Sequence, residues 1–309
     1  MRRRRAYPNV EPSVASHFPS LSKGYDIDPD VHMFTEDIHL AIMPIGGRTE
    51  KRQEFAVEFQ GEEPDCEKAK EIIGELGEFD RYDNATMVCD AIDNIAKHLA
   101  WEGQAVYEII KDNEQIFIHS FTSKNLFNLF LWFLQIIPPD DWGLWKRKYT
   151  LVSRKKIWKV NIPHELGGVS GYKRVIKRLR KYNHLGPKFY RQDLEHGLST
   201  KNYDFIKYVR SSEIYFNRIT HRWGWNRRDW SQEKCTEFYS FYRMLSFRYA
   251  QAVLREHIIN EINQLLNRLS VKCKLIAHGL PTAKEILQMR NSMQKGDLSF
   301  AEVSDKVAM

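Results

Sequence analysis

The chain has only four cysteines in 309 residues, and no two of them form a Cys-x-x-Cys pair. Cys66, Cys89, Cys235 and Cys273 are far apart, which argues against a disulfide scaffold or a zinc framework and predicts reduced, mostly buried thiols. Long apolar runs are missing too. The greasiest stretch, Leu126 to Ile137, is interrupted by Asn128 and Gln135, and a spanning helix takes roughly 20 residues. It is expected as a buried or interface segment of a soluble chain with no membrane partner. Arg2 to Arg5 lead into Pro8, Glu11 and Pro12 rather than an apolar core, so no secretory signal is expected.

Familiar reaction motifs are absent as well. There is no Gly-x-Ser-x-Gly, no P-loop, no His-Glu-x-x-His and no Gly-x-Gly-x-x-Gly. Gly46-Gly47 and Gly167-Gly168 read as turns. His278 before Gly279, and His164 before Glu165, read as loop or core histidines ahead of catalytic ones. Asp140-Asp141, after Pro138-Pro139, reads as a solvated turn ahead of a metal pair. The expectation is no enzyme, with no catalytic residues, no metal and no cofactor. Helix-turn-helix, zinc-finger and RNP signatures are missing, and no internal repeat is visible.

What is present is a charge split. Residues 11 to 100 hold 20 acidic and 8 basic residues, a net of −12, and residues 146 to 230 hold 22 basic and 6 acidic, a net of +16. The whole chain is only +7. A basic block interleaved with Trp and Tyr suits a polyanion-facing surface. It equally suits pairing with the acidic half, within the chain or in a neighbouring copy.

The basic block has three pieces. The first is Lys146, Arg147 and Lys148 with Arg154, Lys155, Lys156 and Lys159. The second is a helix bearing Lys173, Arg174, Lys177, Arg178, Arg180 and Lys181. The third is Arg222-Trp223-Gly224-Trp225-Asn226-Arg227-Arg228. Cations without a recognition fold predict phosphate contact without base readout. In the third piece, Arg beside Trp suits stacking on single-stranded bases. The favoured alternative is a core Trp pair whose arginines bind carboxylates of an adjacent subunit.

The pattern predicts an α+β, mainly helical chain. Residues 1–30, with Pro8, Pro12, Pro19 and Pro29, read as a flexible N-terminal arm. Strands are expected at His39 to Pro44 and Glu54 to Phe59, joined by a turn. Helices are expected at Cys66 to Leu76, and from an Asn84 N-cap to about Ala100, with Gly103 past its end. A hairpin follows, Ala105 to Ile110 and Ile116 to His119. Residues 145 to 161 read as extended. Further helices are expected at Tyr172–Tyr182, about Lys188–His196, about Tyr203–Ile219 and about Ser231–Leu269. The last would run about 57 Å, too long for one compact core. Two short helices close the chain, with capping boxes at Thr282/Glu285 and Ser299/Glu302.

The segment Leu99-Ala100-Trp101-Glu102-Gly103-Gln104-Ala105-Val106-Tyr107-Glu108-Ile109, with its hairpin through Lys111 to Glu114, resembles the wing of tailed-phage portal (head-tail connector) proteins. Thr236-Glu237-Phe238-Tyr239 opening a long helix, then Gly279-Leu280-Pro281-Thr282 and Gln294 to Phe300, is similar to the way portals finish. The resemblance covers about 85–140 and 231–309. The chain is shorter than most portals, and stem and clip have no fixed place between 161 and 230.

The resemblance implies a strand-containing wing at 31–144, a basic stem and clip region at 145–230, and a long helix with short C-terminal helices at 231–309. It implies a homo-oligomeric ring of about twelve copies at a capsid vertex, located in the virion and in the host cytoplasm during assembly. Double-stranded DNA would pass through its channel in packaging and ejection, and terminase, capsid and tail proteins would be its partners. The basic residues would then face DNA or a neighbouring subunit. The alternative is a non-ring nucleic-acid-binding protein or a nuclease using residues 146–230.

Overall fold

The computed structural model describes residues 6, 28–40, 42–43, 56–77, 83–112, 115–121, 123, 126–137, 143, 146–183, 205–227 and 236–307. Helix α1 spans Pro29–His39. Pro29 opens it rather than blocking structure, because the first helical position needs no N–H donor. Val31, Phe34 and Ile38 recur at helical spacing and are all buried. The strand expected from His39 therefore gives way to a helix end. Ala6, within the expected flexible arm, is buried, and its N–H donates to the Glu108 carboxylate at 2.9 Å. The rest of residues 1–27 lies outside the described residues.

Strand β1 (Ala56–Gly61) leads into α2 (Glu63–Gly74). Helix α3 runs Asn84–Glu102. Its N-cap is Asp83, one residue before the expected Asn84; the carboxylate accepts the N–H groups of Ala85 and Thr86. Gly103 ends the helix at φ 74°, where a side chain would be strained and would press on the Tyr172 ring. The Tyr172 hydroxyl donates to Ala100 O just before that stop.

The chain then turns directly into β2 (Gln104–Asp112) and β3 (Gln115–Ser120). Strands β4 (Leu126–Leu129), β5 (Trp132–Ile136) and β6 (Tyr149–Ser153) follow. A single 3-10 turn, Arg154–Lys156, joins β6 to β7 (Ile157–Asn161). Next come α4 (Gly168–Asn183), α5 (Phe205–Thr220), α6 (Glu237–Arg268), β8 (Cys273–His278), α7 (Ala283–Lys295) and α8 (Phe300–Val307). The fold class is α+β. The helix expected at Lys188–His196 and the Ser231 start of the long helix lie outside the described residues.

Among the described residues, three sheets form, all antiparallel. The orders are β1-β8, β3-β2-β7 and β4-β5-β6. Strand β8 was not anticipated, and it pairs with β1 (Ala56 opposite His278). Two buried free thiols meet there, Cys66 and Cys273, with their sulfurs 3.4 Å apart. Burial pushes the Cys273 thiol up to about 12.

Helix α6 contains 32 residues, about 48 Å. Its length is accommodated because it is buried on two sides. Ala250, Leu254, Ile258 and Ile262 join the main core, while Leu245 and Ala252 pack with Ile286 and Met293 of α7. Its buried arginines donate to oxygens of neighbouring segments: Arg243 to Thr220 and Trp225, Arg255 to Ile42 and Pro281. The main core also takes residues from α1, α3, β2, β7, α4 and β8. It crosses both expected boundaries, 144/145 and 230/231: β7 completes the sheet of β2, and Arg243 caps the Trp225 carbonyl.

Candidate polyanion and subunit interface

Helix α4 has an unusually clear division of labour. Tyr172, Ile176 and Leu179 are buried, which turns Lys173, Arg174, Lys177, Arg178 and Lys181 outward, all exposed. The 3.6-residue period makes this one continuous ridge. None of these five cations has a carboxylate partner among the described residues; Arg174 donates only to Ser170 O at 3.4 Å. Arg180, on the inner side, reaches the buried Asp28 carboxylate at 3.7 Å.

The ridge continues onto the neighbouring strand. Lys159 of β7 has its pKa lowered, first by desolvation and then by the like charge of Lys173. The repulsion between Lys159 and Lys173 favours an anion from outside. Arg154, Lys155 and Lys156 sit exposed on the 3-10 turn preceding β7. Lys146, Arg147 and Lys148 are exposed just ahead of β6; Arg147 and Lys148 have partners of their own.

The third basic piece behaves differently. Trp223 is fully buried and Trp225 is 2% exposed. Both rings pack on Phe34, at 5.6 and 5.1 Å between centroids, and Trp225 Nε1 donates to Asp37 at 2.7 Å. Gly224 between them, at φ 70°, leaves no room for a Cβ, which would lie 2.5 Å from Ser246 Cβ. Arg227 is sandwiched between the Tyr182 and Phe216 rings, 4.4 and 4.2 Å from their centroids, and donates to Asp30 at 2.8 Å. Its carboxylate partner belongs to the same chain. Arg222 is exposed, with its guanidinium against Gly167. Arg228 lies outside the described residues. The Trp-Gly-Trp segment is therefore core, and Arg227 is its clamp rather than a free cation.

Two features of the surface escaped the sequence reading. On α2, Glu63, Glu67, Glu71 and, just past its end, Glu75 recur every fourth residue and are exposed, an acidic ridge answered locally by Lys70, 2.7 Å from Glu67. The run Leu126 to Ile137 is a hairpin, not a buried segment. Its inner residues Phe133 and Gln135 are buried, while Phe127, Leu129, Trp132 and Ile136 are exposed. The period-two alternation that signals this was present within the apolar run.

A groove of about 820 Å³ opens where the hairpin tip meets the 3-10 turn. Its lining combines Phe130, Leu131, Trp132 and Ile157 with Arg154, Lys155, Lys159 and Arg268. Arg268 of α6 anchors the turn by donating to Lys155 O and Ile157 O. Among the described residues no three His, Cys, Asp or Glu side chains are grouped so as to hold a metal ion, and no helix is long and apolar enough to cross a membrane.

No known protein family matches the sequence, and no curated protein matches it. A chain from a solved structure, the virion of a native gene transfer agent particle, is similar over 96% of this chain and 93% of that chain, with 9% sequence identity and a TM-score of 0.48. A likeness at that level assigns neither a family nor a function.

Proposed function

We propose that this chain is a virion structural subunit of the portal type, which assembles head-to-tail into a ring and lets double-stranded DNA pass through the centre. The observation that carries this reading is the separation of exposed charge on one subunit. The α4 ridge has no carboxylate partner among the described residues, the Arg154–Lys156 turn is exposed and cationic, and the α2 ridge is exposed and acidic. A heterologous ring needs two different, complementary surfaces on each copy. The sequence resemblance points the same way, and the α3–Gly103–β2 step sits at the heart of it.

Function on this reading is geometric rather than chemical. A channel must conduct DNA without gripping it. Cations in short rows, such as Lys173, Lys177 and Lys181, give phosphate contacts that salt readily screens. Arg154, Lys155 and Lys156 face a neighbouring subunit. Terminase, capsid and tail proteins are the partners the resemblance supplies. A non-ring nucleic-acid-binding protein would use the same α4 cations.

Negative-stain images of the full-length chain separate the two. Closed rings of about a dozen copies support the portal reading. A uniform monomer that still retards double-stranded DNA supports the other.

A further inference from the structure

We propose that the outer face of the β4-β5-β6 sheet is where a second copy of this chain docks, with the acidic α2 ridge of that copy lying against the cations that rim the sheet. This rests on the ring reading above and names the contact that would build the ring.

The face is one-sided by register. Phe127 lies opposite Leu134 and Leu129 opposite Trp132, while Leu134 lies opposite Leu151 and Ile136 opposite Tyr149. All of these side chains project to the same side, because cross-strand partners share a face. Trp132 is 42% exposed, Tyr149 63% and Phe130, at the hairpin tip, 84%. The opposite side of the same sheet is closed: Phe133 and Val152 pack with Ala6, Val106, Phe121 and Ile157. A contiguous apolar face rarely stays open on a monomer beyond a few hundred Å².

Charge selects the occupant. Arg154, Lys155 and Lys156 flank the exposed face, and the groove at the tip adds Lys159 and Arg268. A partner must therefore bring carboxylates beside its apolar contact. Copies of this chain carry the carboxylates: Glu63, Glu67 and Glu71 in one row. Aromatic and Arg side chains over an apolar centre are also the composition of protein interfaces. An anionic bilayer would accept the Phe130-Leu131 tip and the cations, but it would leave the acidic ridge without a role. The two surfaces lie on different elements, as a head-to-tail contact requires.

The test is charge reversal with rescue, on the full-length chain. Arg154→Glu with Lys155→Glu, and separately Glu67→Lys with Glu71→Lys, should each raise the concentration at which rings dissociate by at least about tenfold. Combining all four changes should restore most of that loss. Trp132→Ser with Leu151→Ser should abolish rings while leaving the circular dichroism melt within a few degrees of wild type. Rings that form with unchanged stability in all of these variants overturn the inference but leave the ring reading standing. Absence of rings in the wild type overturns both. Co-sedimentation of the wild type with phosphatidylglycerol vesicles, lost in the Trp132→Ser/Leu151→Ser variant while rings persist, also overturns it in favour of a membrane.

Discussion

Arg227 lies 2.8 Å from the Asp30 carboxylate, with its guanidinium held between two aromatic rings. The pair ties the loop after α5 to the first turn of α1, across the Trp-Gly-Trp core. Arg227→Ala should destabilise the protein by about 2 kcal/mol, since it removes a half-buried pair and its ring stacking together. DNA affinity should not change. Chemical denaturation and a DNA titration of the same preparation check both halves.

The same pair sets a pH dependence. The Asp30 pKa is raised from 3.8 because desolvation outweighs the opposing pull of Arg227. A carboxyl raised in the folded state favours folding while protonated, and that contribution is lost as pH rises through the folded value. Without Arg227 the rise is larger. The stability gap between wild type and Arg227→Ala should therefore be wide at pH 7.5 and narrow towards pH 4.5. Melts at the two pH values give the answer.

The α4 ridge should behave in the opposite way. Lys177→Ala, Arg178→Ala and Lys181→Ala together should leave the melting temperature within a few degrees. They should reduce the slope of log affinity against log salt on duplex DNA by about 2 to 3, one unit per lost phosphate contact. An unchanged slope would place these residues away from phosphate.

Gly224→Ala should be among the most damaging single changes. It forces a left-handed conformation on alanine and drives a Cβ into Ser246 and the Phe247 backbone. A loss of more than about 3 kcal/mol is expected, seen as aggregation on expression or a strongly lowered denaturation midpoint.

At the other end, Thr282 and Glu285 form a capping box on α7, and its hydrogen bonds lower the Glu285 pKa from 4.5. A lowered carboxyl stabilises the fold above the unfolded pKa and loses that contribution as pH falls through the folded one. Thr282→Ala should cost about 1 kcal/mol at pH 7 and progressively less below pH 4.5. Hydrogen exchange of α7 amides reads this locally.

Local chemistry was legible before any coordinates: the Gly103 stop, the Thr282 box, the β2-β3 hairpin and the period of α4 all follow from residues a few positions apart. What was not legible depended on distant partners. Strand β8 exists because β1, more than 200 residues earlier, gives Cys273 to His278 a mate. Arg227 was expected to bind a carboxylate of an adjacent subunit; Asp30 of its own chain and two rings close around it instead. The apolar run hid a hairpin because a turn at Phe130 and Leu131 carries none of the usual Gly, Asn or Pro. The charge split itself survives as two surface ridges, Glu63 to Glu75 and Lys173 to Lys181, with Trp223, Trp225 and Arg227 of the third basic piece drawn into the core and its surroundings.

The mass of the assembly tests the central claim most directly. Mass photometry of the purified full-length chain should give a dominant species near twelve copies of the 36.6 kDa subunit, about 440 kDa. A single population at the monomer mass across the micromolar range, with no higher species on addition of duplex DNA, would contradict the account.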